Sequence, residues 1–188
     1  MVSHFGLLVS LATVFEDIKK KSLQGKAVLS VPYALEPAPE RLPTTEMDIV
    51  WRPLAEKLRS LDVVYVTGSG NAGTKAIDAY PQLLVKQYPD NIVNVGAADI
   101  FGSRKDYMQG RDNDGYLTLS AAAPALVPAV GSKNKYGLKD GTSHCNAPCC
   151  LFFLNSHGVN YSNLRDKSRG AGGWIGGRDL ESEYRQPE

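Results

Sequence analysis

Leu7, Leu8, Leu11, Val14, Phe15 and Ile18 recur at steps of three and four, which puts apolar side chains on one face of an α-helix. Lys19, Lys20 and Lys21 fall in the last turn, where cations meet the negative end of the helix dipole, and Gly25 is placed to stop the helix. Lys26–Val31 reads as a short buried strand closed by Pro32, and residues 36–43, rich in proline and charge, as a surface loop. Thr44 or Thr45 can cap a second helix over 48–60, with Ile49, Val50, Pro53, Leu54 and Leu58 forming one face. Leu61–Val66 is the clearest strand. A glycine-rich turn over 68–73 follows it, and Ile92–Val95 is a further apolar strand running into Gly96–Asp99. Residues 117–119 and 126–130 are weaker strand candidates.

Helix and strand alternate, and the strands are continuously apolar instead of alternating with polar positions. That pattern predicts an α/β fold with a mostly parallel sheet covered by helices on both faces. After Leu154 the pattern collapses into Asn, Ser, Arg and Gly, ending in Gly170-Ala-Gly-Gly-Trp-Ile-Gly-Gly177, and this tail is expected to be unstructured.

Composition narrows the field by exclusion. The chain has 188 residues, enough for one domain with a sizeable core, and its 43% hydrophobic and 22% charged content suits a globular protein. A net charge of +1 offers no electrostatic case for nucleic acid or an acidic membrane surface. No apolar run approaches the roughly 20 residues that cross a bilayer. Residues 1–15 are apolar enough to imitate a secretory signal. They carry no Lys or Arg, and Ser3, His4, Gly6 and Ser10 dilute them, so a helix packed into the fold is expected instead. Cys145, Cys149 and Cys150 lack the paired C-x-x-C units of a zinc site and are an odd number for a disulfide framework, so no metal and no cofactor are expected.

Gly68-Ser-Gly70-Asn-Ala-Gly73 has two readings. It fits G-x-G-x-x-G after a strand, the dinucleotide fingerprint of an oxidoreductase domain, with Asp99 as a ribose-binding acid. Against this, Pro81 leaves little room for the required helix, and Asp99 lies twenty-six residues past Gly73, beyond the usual interval of about 20. The second reading uses the asparagine. Val64-Tyr-Val-Thr-Gly-Ser-Gly-Asn-Ala-Gly73 resembles the segment of subtilisin-like serine endopeptidases (peptidase family S8) in which a strand runs into alanine, glycine and asparagine. A plain turn, with Gly and Asn supplying positive φ, explains that segment equally well when it is taken alone.

Three further segments carry the resemblance. Tyr88-Pro-Asp-Asn-Ile-Val-Asn-Val-Gly-Ala-Ala-Asp99 is similar to the family's tyrosine-proline turn and valine-glycine-alanine strand. Leu119-Ser-Ala-Ala-Ala-Pro-Ala125 is similar to its alanine-proline-glycine turn, with Ala125 in place of glycine. Asp140-Gly-Thr-Ser143 matches the glycine-threonine-serine at which the nucleophile opens a helix. The resemblance spans residues 26–143, and implies a partial subtilisin-like three-layer domain over 1–143. It implies Ser143 as nucleophile and Asn71 as side-chain donor to the oxyanion, a donor worth ~10²–10³ in rate because it meets charge that develops only in the transition state. It also implies Ser69 and Gly70 in substrate binding, a polypeptide substrate and an extracellular location.

The departures are as informative. The family's aspartate and histidine segments precede the asparagine, but no aspartate-threonine-glycine or histidine-glycine-threonine-histidine segment occurs in this sequence. His4 is the sole histidine upstream of Asn71, and its surroundings do not match. The chain is expected to start beyond both segments, and to lack peptidase activity by itself for want of a base. Ser30-Val-Pro-Tyr-Ala34 stands where the family pairs a serine-leucine-glycine-glycine strand with substrate, and Pro32 removes one backbone donor there. After Ser143 the chain reads His144-Cys-Asn-Ala-Pro-Cys-Cys150. Codons for these residues, read one nucleotide forward, allow isoleucine-alanine-threonine-proline-histidine-valine-alanine, the string the family carries next. Residues 144–188 are therefore expected to be an out-of-frame, disordered tail; an in-frame His-Cys-Asn sequence in the transcript overturns that. Besides the oxidoreductase alternative on Gly68, Gly70 and Gly73, a non-catalytic binding module is the remaining alternative.

Overall fold

The structure is a computed structural model, and it describes residues 4–33, 44–99, 101–110, 115–123, 125–128, 136–145, 149–150 and 174–175. Helix α1 spans His4–Lys20 and buries Leu11, Phe15 and Ile18, the stripe expected from the apolar spacing. It is stopped by Ser22, not Gly25. Ser22 takes φ +54°, while its N–H donates to Lys19 O (3.1 Å) and Leu23 N–H donates to Ile18 O (2.9 Å). This pair of bonds satisfies the last carbonyls of the helix in a Schellman cap.

Helix α2 spans Thr44–Ser60 and ends in the same way, with Asp62 at φ +50° and Val63 N–H donating to Leu58 O at 3.0 Å. The cap takes Leu61 and Asp62 out of the following strand, so β2 runs over Val64–Gly68 instead of Leu61–Val66. The expected face of α2 is also corrected. Met47, Trp51, Ala55 and Leu58 are buried, whereas Ile49 is 68% exposed and Val50 42% exposed. Apolar residues lie on both sides of this helix, so spacing alone could not choose between two stripes. Ala55→Leu is accordingly expected to overpack the core by about 1–3 kcal/mol. Ile49→Lys should stay within about 0.5 kcal/mol, both read from urea unfolding midpoints.

β1 (Val28–Ser30), β2, β3 (Ile92–Ala98), β4 (Leu119–Ala122) and β7 (Trp174–Ile175) form one sheet in the order β1-β2-β3-β4-β7, every pair parallel. β5 (Ala125–Pro128) and β6 (Tyr136–Lys139) make a separate antiparallel pair. Alternation along β2 and β3 divides the core in two. Tyr65 and Ile92 face Trp51, Phe15 and Leu58 of the helices. Val66, Val93, Val95 and Ala97 face the other way and pack with Leu119, Ala121 and the three cysteines. Both faces of the sheet are therefore covered, as the continuous apolar strands imply.

Two parts of the segment after Ser143 are among the described residues. Residues 142–145 and 149–150 are helical, and Cys145, Cys149 and Cys150 are buried among the sheet's valines and alanines. Each thiol packs there as a small apolar group. Trp174 and Ile175 pair with Ser120 and Ala121. The remainder of 151–188 lies outside the described residues.

Candidate functional site

β2 and β3 run in parallel, and their carboxyl ends bring the glycine turn to one end of the sheet. Two side chains hold that end of β2 in place. Buried Gln82, in a 3-10 helix over Gln82–Leu84 just past a cis Tyr80–Pro81 bond, donates to Gly68 O (2.8 Å) and Thr67 Oγ1 (3.2 Å). Thr67 Oγ1 in turn donates to Tyr33 O at 3.2 Å.

The second half of the site arrives from residues 140–145. A Cβ on Gly68 would lie 2.9 Å from Thr142 Oγ1 and 3.1 Å from the Thr142 carbonyl carbon, so glycine is what lets the two backbones touch. Two bonds tie them together: Gly70 N–H donates to Thr142 Oγ1 (3.1 Å), and Thr142 N–H donates to Asn71 Oδ1 (2.9 Å). A backbone N–H can only donate, so the second bond fixes the asparagine amide with its oxygen toward Thr142 and its Nδ2 outward. Gly141, at φ +150°, has Asn71 Nδ2 and Ser143 Oγ on the side where a Cβ would project, 3.6 Å and 3.5 Å from that point.

A loop over 101–110 clamps both halves. Tyr107 O accepts from Gly73 N–H (2.9 Å) and Gln109 N–H donates to Gly70 O (3.0 Å). The Tyr107 hydroxyl accepts from Gly141 N–H at 3.1 Å and reaches Asp140 Oδ1 at 3.4 Å. Around these groups lies an open cleft of about 420 Å³ lined by Pro32, Gly68, Gly70, Asn71, Ala79, Gln109 and Ser143, among others.

The structure thus brings Ser143, Asn71 and Gly70 together at one cleft. Ser69, by contrast, is buried, its hydroxyl has no partner among the described residues, and it does not line the cleft. Thr142, Tyr107, Gln109 and Gln82 join the site through contacts that no sequence pattern announces. No hydrogen bond to Ser143 Oγ is made by any described residue. His144 Cδ2 lies 3.6 Å from the same Gly141 Cβ position, but neither ring nitrogen of His144 is bonded to the serine. Pro32 ends the pairing of β1: Val31 N–H still donates to Val66 O (2.9 Å), and then Tyr33 N–H turns back onto Val31 O (2.7 Å).

The dinucleotide alternative is not favoured. After Gly73 the chain continues through turns to a three-residue 3-10 helix, so the α-helix that the fingerprint needs directly after its glycines does not form there. Asp99 Oδ1 is occupied by its own turn, accepting from Phe101 N–H (2.8 Å) and Ser103 N–H (2.9 Å).

Burial, then the charge of Asp140, pushes the Cys145 thiol from 9.0 up to about 11. Burial likewise lifts the Tyr107 phenol from 10.0 to about 12, against the opposing N–H of Gly141. Both groups are neutral when folded and ionise earlier when unfolded. Their contribution to stability is therefore intact below pH 9 and is lost as pH rises from about 9 towards 12. Urea midpoints are expected to agree at pH 7 and 8.5 and to fall at pH 10.5; an unchanged midpoint at pH 10.5 contradicts the burial of these two groups.

No family model matches the sequence, and no curated protein matches it. Solved structures do. A psychrophilic protease matches with a TM-score of 0.61 at 14% identity, over 88% of this chain and 54% of its own. A cold adapted subtilisin-like serine proteinase gives 0.56 at 16% identity, over 87% and 53% respectively. A lanthipeptide protease gives 0.58 at 13% identity, over 89% and 58%. The chain spans a little over half the length of these proteins, and at such identities the likeness is one of fold. With its parallel sheet covered on both faces, this chain carries the subtilisin-like serine proteinase fold over that part of its length.

Proposed function

We propose that this chain carries the nucleophile and oxyanion portion of a serine-type endopeptidase site, acting on a polypeptide. In this reading Ser143 Oγ attacks a peptide carbonyl carbon. The oxygen that becomes negative is met by Asn71 Nδ2 and the Ser143 backbone N–H. The observation that supports it most is the convergence of Ser143 Oγ and Asn71 Nδ2 beside Gly141, with the asparagine amide oriented by Thr142 N–H. The likeness of fold to proteases points the same way.

The serine proton has no acceptor among the described residues, so the chain by itself is expected to leave peptide bonds intact. Incubation with a fluorophosphonate probe should leave Ser143 unlabelled above background; labelling there would establish a base and an active serine. The oxyanion half is testable without turnover. A peptide ending in a free carboxylate should shift the Asn71 side-chain amide and the Ser143 backbone amide in NMR spectra. Shifts confined to other residues would sink the reading.

A further inference from the structure

The cleft beside Asn71 and Ser143 is walled by residues with little or no side chain, Gly68, Gly70, Ala72 and Ala79. Gln109 stands apart as a long polar side chain on that wall, and the geometry of its amide is settled by its bonds. Its Nε2 donates to Ala76 O (2.8 Å) and to Asp78 Oδ1 (3.0 Å), which uses both of its N–H groups. The amide oxygen therefore points the other way, against Gly70, where a Cβ would collide with it and would sit 3.1 Å from Gln109 Cδ. No donor among the described residues reaches that oxygen.

We infer that Gln109 sets the specificity of the cleft, and that the peptide side chain it takes ends in an N–H donor, an ammonium or a primary amide. This rests on the reading of the cleft as a polypeptide site. A fixed acceptor in a pocket of small residues rewards a donor that reaches it, and penalises an apolar chain of equal length that leaves it without water or partner. Asp78 lies directly behind the Gln109 amide, so the field at the oxygen is negative and lysine ranks ahead of glutamine. An acidic side chain meets two repelling groups, the amide oxygen and that carboxylate.

The test uses the full chain and acetyl-Ala-Ala-Ala-X peptides with a free carboxylate, where X is lysine, glutamine, methionine or glutamate, titrated by NMR. Methionine matches glutamine in length, is one atom shorter than lysine, and lacks the donor. The expected result is that the lysine and glutamine peptides bind about tenfold tighter than the methionine peptide, with glutamate weakest. Gln109→Met should bring the lysine, glutamine and methionine affinities together. Asp78→Asn, at an exposed position, should lower the lysine peptide toward the glutamine peptide and leave the glutamine peptide unchanged. Equal binding of methionine, glutamine and lysine peptides, with shifts at Asn71 and Ser143, overturns this inference and leaves the polypeptide site standing. Absence of shifts at Asn71 and Ser143 with every peptide overturns both.

Discussion

Gly70→Ala lowers the stability of the chain by about 2–6 kcal/mol and weakens peptide binding at the cleft together with it. The figure combines backbone strain of about 1–3 kcal/mol with an overpacking cost of similar size. The strain arises because Gly70 sits at φ +103°, which side chains with a Cβ rarely adopt. The overpacking arises because the new methyl lands on Gln109 Oε1. Gln109 cannot retreat cheaply, since its backbone N–H is bonded to Gly70 O and its Nε2 is bonded to Ala76 and Asp78. The peptide carrying Asn71 would have to shift with it, and the bonds from Thr142 would lengthen. Gly73→Ala is the control. It too lies at positive φ, +64°, but its Cβ would meet only Asp106 O at 3.3 Å. It should cost about 1–2 kcal/mol, the price of the left-handed backbone. Equal losses for the two variants would mean that the contact with Gln109 contributes nothing.

Much of the fold is legible in the chain because parallel strands are buried on both faces. Val64, Tyr65 and Val66 read as an apolar run for that reason, and so do Ile92, Val93 and Val95, with the buried Asn94 as the one polar position between them. The turn at Asn71 and the glycine-threonine-serine at Ser143 are legible as short local patterns. Tyr107 and Gln109 leave no such trace. Their roles exist only through contacts with Gly141, Gly70 and Ala76, more than thirty residues away along the chain, and nothing in the spacing of 101–110 announces them. The α2 face is not legible in the spacing because Trp51 and Met47 compete with Ile49 and Val50 for the core, and only tertiary packing chooses. β6 leaves little trace in the sequence because Tyr136–Lys139 is short, carries Gly137, and acquires its register from β5.

Asn71→Asp separates structure from chemistry at the site. The carboxylate that replaces the amide keeps an oxygen for Thr142 N–H, the bond now made at 2.9 Å, so the junction of the two halves survives. Thr142 begins a helical segment, and a negative charge beside that backbone N–H is if anything favourable. The unfolding midpoint should therefore move by no more than about 0.5 kcal/mol. The outward atom changes from the Nδ2 donor to a charged oxygen on the Ser143 side of Gly141. A peptide carboxylate would lose a hydrogen bond and meet a like charge in its place, and its affinity should fall by about a hundredfold or more. Asn71→Ala should do the reverse, costing about 1–2 kcal/mol of stability because Thr142 N–H loses its acceptor, while repelling nothing. If Asn71→Asp binds the peptide as well as the parent chain does, Nδ2 faces no anion. Asn71 would then be only the brace that holds Thr142.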